Sequence, residues 1–119
     1  MRSLVVKVTA GAEDAERCNQ AFTVAASAVA AGASVSLWLT GEAAWFGVPG
    51  KAEEFSLPLA TPLADLRDVV LAGGTLTVCT QCAERRGIGA DDVLDGVRIA
   101  GAASFAEEIL DDGVQALVY

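Results

Sequence analysis

Short apolar runs alternate with helix-spaced segments along the whole chain, and that alternation leaves few folds open. Leu4 to Val8 is the first run; Val35, Leu37 and Leu39 alternate with Ser36, Trp38 and Thr40 in the second. Leu76-Thr77-Val78, Val97-Arg98-Ile99-Ala100 and Val114 to Val118 follow. Between the first two, Cys18, Ala21, Phe22, Ala25 and Val29 recur at helical spacing. Gly32 suits the C-terminal cap of that helix, which is expected to run for about twenty residues. Gly41 to Phe46 suits one or two helical turns, Leu63 to Ala72 a helix closed by Gly73-Gly74, and Ala83 to Arg86 a short helix. Ala102, Phe105, Ala106, Ile109 and Leu110 give the last helix an apolar stripe expected to be buried, and Gly113 ends it. Gly47 to Pro62 holds Pro49, Pro58 and Pro62 and is the longest irregular segment. The order β-α-β-α-α-β-α-β-α-β predicts an α/β fold, a three-layer α/β/α sandwich around a five-stranded, mostly parallel sheet.

A chain of 119 residues can bury roughly two-thirds of its unfolded surface. No repeat or long linker divides it, so one domain is expected over residues 1–119. Such sheets bind ligands beyond the carboxyl ends of their strands. Thr9 to Glu13, Thr40 to Phe46, Cys79 to Cys82, Gly101-Ala102 and Tyr119 all fall on that edge.

The net charge is −8, with only eight Lys and Arg in total, and these are scattered. Nucleic acid and anionic membrane surfaces are therefore excluded as partners, and a basic protein or a neutral small substrate is favoured. The apolar stretch Met1 to Val8 is short, carries Lys7 and lacks a following cleavage site, so it reads as a strand and not a signal peptide. No window approaches the ~18 apolar residues of a membrane span. The three cysteines, Cys18, Cys79 and Cys82, are too few and odd in number for a secreted disulfide scaffold. The expected location is the cytoplasm. A hydrophobic fraction of 53% leaves apolar surface to bury against another subunit.

Cys79-Thr80-Gln81-Cys82 is the pattern that carries chemistry. It begins where a strand ends and a helix starts, and its two thiols share a face at i and i+3. A free thiol has a pKa near ~8.5, and a helix N-terminus lowers it toward ~7 or below, which raises the nucleophilic thiolate fraction. Arg85 and Arg86 add positive charge, toward the far end of the short helix. The pair suits a persulfide carrier, a thiol–disulfide couple with Cys82 as resolving thiol, or two small buried side chains. Zinc is disfavoured, because the chain has no His and only one further Cys. No metal and no cofactor is expected. Cys18 lies on the apolar helix stripe and reads as core. Thr9 to Asp14 has the look of a phosphate loop, but Glu13 and Asp14 sit where a phosphate would dock, so a capped turn is the better reading. Trp45 and Phe46, near the active edge, suit a cover for the thiol, a subunit interface or ordinary core. Asp91-Asp92 and Asp111-Asp112 read as solvated turn charges.

With those residues in view the chain resembles the DsrE/DsrF-like family of small sulfur-relay proteins, of the DsrE, TusD and YchN type. Four segments carry the likeness: the opening strand with Thr9 to Arg17, Val35 to Phe46, Val78 to Gly87, and Val97 to Phe105 with the closing strand to Tyr119. The family's active cysteine, at the end of the third strand and several residues before an Arg-Gly turn, maps onto Cys79, and members with a second cysteine three residues on match Cys82. The resemblance implies sulfurtransferase-like chemistry, with a persulfide on Cys79 passed to a partner thiol and Cys82 resolving or protecting it. Thr9, Trp45, Arg85 and Arg86 stand in the matching segments as supporting residues. It also implies a homo-oligomer, often a trimer or hexamer, and a sulfur donor or acceptor protein as partner.

Overall fold

The computed structural model of the protein describes residues 2–119. Five strands, β1 (Ser3–Val8), β2 (Ser34–Leu39), β3 (Thr75–Cys79), β4 (Arg98–Ala100) and β5 (Val114–Val118), form one sheet in the order β4-β3-β2-β1-β5. Every neighbouring pair is parallel. The register sets Lys7 beside Trp38 and Trp38 beside Thr77, so these three share one face of the sheet. Cys79, two residues beyond Thr77, shares that face as well.

The opposite face is the core. Val6, Val8, Val35, Leu37, Leu39, Leu76 and Val78 point there and pack with Cys18, Ala21, Phe22 and Ala25 of α1 (Ala15–Ala30) and Leu63, Leu66 and Val70 of α2 (Leu63–Gly73). Apolar side chains at alternate strand positions meet apolar side chains at helical spacing, which is why both periodicities are legible in the sequence. α1 is shorter than the stripe suggested. Ala12–Asp14 forms a separate 3-10 turn, and Asp14 at φ −142°, ψ 75° breaks its continuity with the helix. Gly32, at φ +89°, sits just past the end of α1, where the N–H groups of Gly32 and Ala33 bond back to Val29 and Ala28.

α3 (Thr80–Arg85) lies on the core side and contributes Cys82 and Ala83 to it. α4 (Ala102–Leu110) covers the other face. There Phe105 packs edge-on against Trp38 at 5.4 Å, and Glu108 accepts hydrogen bonds from Ser36 Oγ, Trp38 Nε1 and Arg98. Contrary to the sequence expectation, the stripe of α4 is not a buried face. No residue of α4 is buried, and Leu110 is 80% exposed. The strands beneath offer Lys7, Ser36, Thr77 and Arg98 around the apolar Val5 and Trp38; this mixed surface partly covers Phe105, Ala106 and Ile109 and leaves Ala102, Ala103 and Leu110 exposed. β5, at the adjoining edge, leaves Leu117 and Val118 exposed at 41% and 65%.

The irregular stretch after β2 is anchored and not loose. Gly41–Gly47 is a 3-10 helix that buries Ala43, Ala44 and Phe46, and Ala52–Glu54 is a second short one. Arg67, buried on α2, reaches Glu53 through both terminal nitrogens at 3.1 and 2.9 Å. That bidentate pair fastens the second turn to the helix layer and holds the Glu53 carboxyl below its usual range.

Candidate functional site

Connections leave β3 toward the core-side helices and leave β4 toward α4, so the chain diverges between the carboxyl ends of these two adjacent strands. Such a divergence opens the crevice in which α/β sheets bind ligands. Cys79 is the last residue of β3 and the N-cap of α3. Its side chain is partly exposed, whereas Cys82 is only 8% exposed and Cys18 is fully buried. All three thiols are free.

Several groups act on the Cys79 sulfur. Partial burial pushes its pKa up, but the N–H groups of Cys82 and Gln81, the Cys82 thiol and the Lys7 ammonium together outweigh burial and bring it below the ordinary thiol value. Neither amide makes a full capping hydrogen bond, so they act chiefly as dipoles aimed at the sulfur. The Cys82 sulfur accepts the Gly41 N–H at 3.2 Å, which fixes the second thiol between the 3-10 helix and the first.

Lys7 is the functional candidate that sequence reasoning missed. Its Nζ rests over the Phe105 ring, 5.1 Å from the centroid, and among the described residues it forms no ion pair. Its charge is therefore not neutralised by a carboxylate. The available signal was a lone charge in an apolar strand; its meaning depends on a sheet order that sets β1 two strands from β3. Replacing Lys7 by Met is expected to move the midpoint of Cys79 alkylation against pH upward, toward that of a free thiol. Alkylation rates measured from pH 5 to 10 check this, and an unchanged midpoint would remove Lys7 from the site.

The other sequence candidates fall differently. Arg86 donates Nε to Glu42 at 2.7 Å and NH1 to the Cys82 carbonyl at 3.1 Å, so it braces α3 to Glu42. Arg85 is exposed in the last turn of α3. Thr9 gives both its N–H and its hydroxyl to the Tyr119 carbonyl, at 2.9 and 2.7 Å, and so ties the end of β1 to the end of β5. Trp45 is half-buried in a cavity wall beside Lys51, and Phe46 is core, edge-on to Phe22 and Phe55. In the Thr9–Asp14 turn, the Glu13 carboxylate accepts the Gly11 N–H at 2.6 Å and thus takes the amide that a phosphate would need.

Cys18 is core. Burial, reinforced by the Glu13 charge, pushes its thiol up to about 12. A raised folded value means a contribution to stability that is complete below the unfolded thiol pKa near ~8.5 and is lost as pH climbs toward the folded value. Cys18→Ala is expected to flatten the alkaline fall in stability between about pH 9 and 11 by up to ~1.4 kcal/mol per pH unit. Urea unfolding at several pH values reads this, and native Cys18 should resist thiol reagents throughout.

Residues 2–118 match the DsrE/DsrF-like family. The chain belongs to that family. A relative, the uncharacterized protein MJ0760 of Methanocaldococcus jannaschii, is 31% identical over 98 residues, which are 82% of this chain and 36% of that protein. The chain thus spans about a third of the length of the curated relative it matches. Among solved structures, the YchN protein of E. coli superposes with a TM-score of 0.83 at 18% identity over the full length of both chains. The protein of unknown function MTH1491 of Methanobacterium thermoautotrophicum gives 0.69 at 13%, also over the full length of both. BT1422 of Bacteroides thetaiotaomicron gives 0.61 at 17%, covering 98% of this chain and 94% of that one. These likenesses show the fold: a five-stranded parallel sheet with helices on both sides. Among the described residues no helix is long and apolar enough to cross a membrane.

Proposed function

We propose that this DsrE-like chain, one domain over residues 1–119, is a cytoplasmic sulfur-relay protein that carries a persulfide on Cys79. The reading rests chiefly on one observation. The partly exposed thiol of a helix's N-cap residue lies at the divergence of β3 and β4, and backbone amides, a second thiol and an ammonium without an ion pair among the described residues all favour its ionised form.

The transfer needs no external oxidant. The Cys79 thiolate attacks the outer sulfur of a donor persulfide, the S–S bond of the donor breaks, and the donor leaves as a thiolate. A partner thiolate then attacks the outer sulfur now on Cys79, and Cys79 leaves as the thiolate it began as. Lys7 and the helix amides stabilise the anion at both ends of the cycle. Cys82 protects the loaded sulfur while its own thiol is held by the Gly41 N–H. If it instead attacks Cys79, hydrosulfide leaves and a Cys79–Cys82 disulfide forms, which a reducing thiol must reopen. That branch is the second reading, a thiol–disulfide redox protein, and the proximity of the two thiols favours it.

Homo-oligomerisation, as a trimer or hexamer, fits the uncovered apolar side chains of α4 and β5. The test is peptide-mapped mass spectrometry after exposure to polysulfide or to a desulfurase with its substrate. Gain of one sulfur atom on the Cys79 peptide is the expected result. Absence of gain under conditions that load a known carrier overturns the proposal.

A further inference from the structure

Beyond the thiol pair, a cavity of about 250 Å3 lies at the carboxyl edge between the three 3-10 segments. Its walls are aromatic. Phe46 and Phe55 meet at 90° with centroids 5.7 Å apart, and Trp45 forms a further side. Carboxylates line it as well: Glu13, Glu42 and Glu54 contribute against the single cation Lys51. Apolar rings with an excess of negative charge suit a ligand with a hydrocarbon body and a cationic end, and they repel anions.

A second observation points to the same chemistry. The Lys51 ammonium already lies over the Trp45 ring, 5.6 Å from the centroid. Its hold is weak: among the described residues the one ion pair it makes, to Glu54, is 4.0 Å long, and its side chain is 45% exposed. The chain therefore occupies its own cation position with a side chain that solvent can reclaim.

We infer that this cavity is a binding site for an alkylammonium group, with Phe46 and Phe55 receiving the hydrocarbon and Trp45, Glu13 and Glu54 the charge, and that Lys51 competes for the place. The ammonium can belong to a free amine or to a lysine side chain of a partner protein; the chemistry is the same. Glu42 is part of the wall, is held by Arg86 and follows Gly41, whose N–H grips the Cys82 sulfur. The wall residue Glu42 is thus one residue along the chain from the amide that holds Cys82, and the inference does not rest on the chemistry of Cys79.

Titration of the full chain with n-butylammonium, followed in proton–nitrogen spectra by the Trp45 indole N–H and, in every variant, by the backbone amides of Lys51 and Glu54 at the cavity wall, tests this. Saturable shifts with a Kd in the millimolar range are expected, with no shifts from butyrate or butanol at the same concentrations. Trp45→Ala should weaken binding about five-fold or more, the loss of one cation–ring contact. Lys51→Met should tighten it, because the internal competitor is gone, and Cys79→Ser should leave it unchanged. A lysine-containing tripeptide binding more tightly than n-butylammonium identifies a protein side chain as the occupant, and equal or weaker binding identifies a free amine. Lack of saturation, equal response to butyrate, or weaker binding by Lys51→Met would overturn the inference whatever happens at Cys79.

Discussion

Serine in place of Cys79 is expected to eliminate sulfur loading while leaving stability within about 1 kcal/mol of the parent. The position is partly exposed, so the loss of sulfur packing is small. The hydroxyl does not ionise near neutral pH and cannot hold a sulfane sulfur, so the chemical effect is complete. Cys82→Ser should behave in the opposite way. It still loads on Cys79, but the loaded sulfur persists for a different time, because the thiol beside it has gone and the Gly41 N–H must now reach a smaller oxygen at a shorter radius. Mass spectrometry of both variants after polysulfide treatment, followed over time, separates the two roles. Loading of Cys79→Ser at Cys82 to the parent level would exchange the assignments. The dependence of loading on pH has a definite sign. The folded Cys79 pKa is lowered, so loading should rise with pH through a midpoint below that of an ordinary thiol. By the same linkage, the thiol's contribution to stability is complete above the unfolded pKa and is lost as pH falls through the folded one.

Alanine at Gly41 is expected to cost about 3 kcal/mol, a large share of the ~5–15 kcal/mol that holds a typical domain together. Gly41 has φ +58°, a region that costs an L-residue about 1–2 kcal/mol. A Cβ built there would stand 2.6 Å from the Thr9 carbonyl oxygen, so the 3-10 helix must move away from the end of β1. That shift also withdraws the N–H from the Cys82 sulfur. Urea denaturation should show a lower midpoint, and alkylation of native Cys82 should accelerate. Parent-like stability together with parent-like Cys82 protection would mean that the turn relaxes freely, and that Gly41 does not position the second thiol.

Much of the fold was legible because its two periodicities meet. Alternation in Val35–Leu39 and helical spacing in Cys18–Val29 describe the two sides of one core, so each confirms the other. Cys79 was legible for a similar reason: the end of an apolar run and the start of a helix place it without knowledge of the rest. What could not be read depends on which strands become neighbours. Lys7 bears on Cys79 only because β1 and β3 flank β2 in parallel, and nothing local to either residue records that. Arg86 looked like a charge for the thiol, but Glu42, remote in sequence, claims it. The stripe of α4 followed the periodicity of a buried helix. Its incomplete burial goes with the polar residues that share the strand face opposite with Val5 and Trp38, which a pattern on the helix alone does not reveal.

The seat of Lys7 on Phe105 has a consequence for how the protein tolerates acid. A cation clamped by a carboxylate loses its clamp when the carboxylate takes up a proton, whereas a benzene ring has no proton to gain. The electrostatic setting of the sulfur centre should therefore persist in moderately acidic surroundings, down to the point where the thiolate itself is quenched.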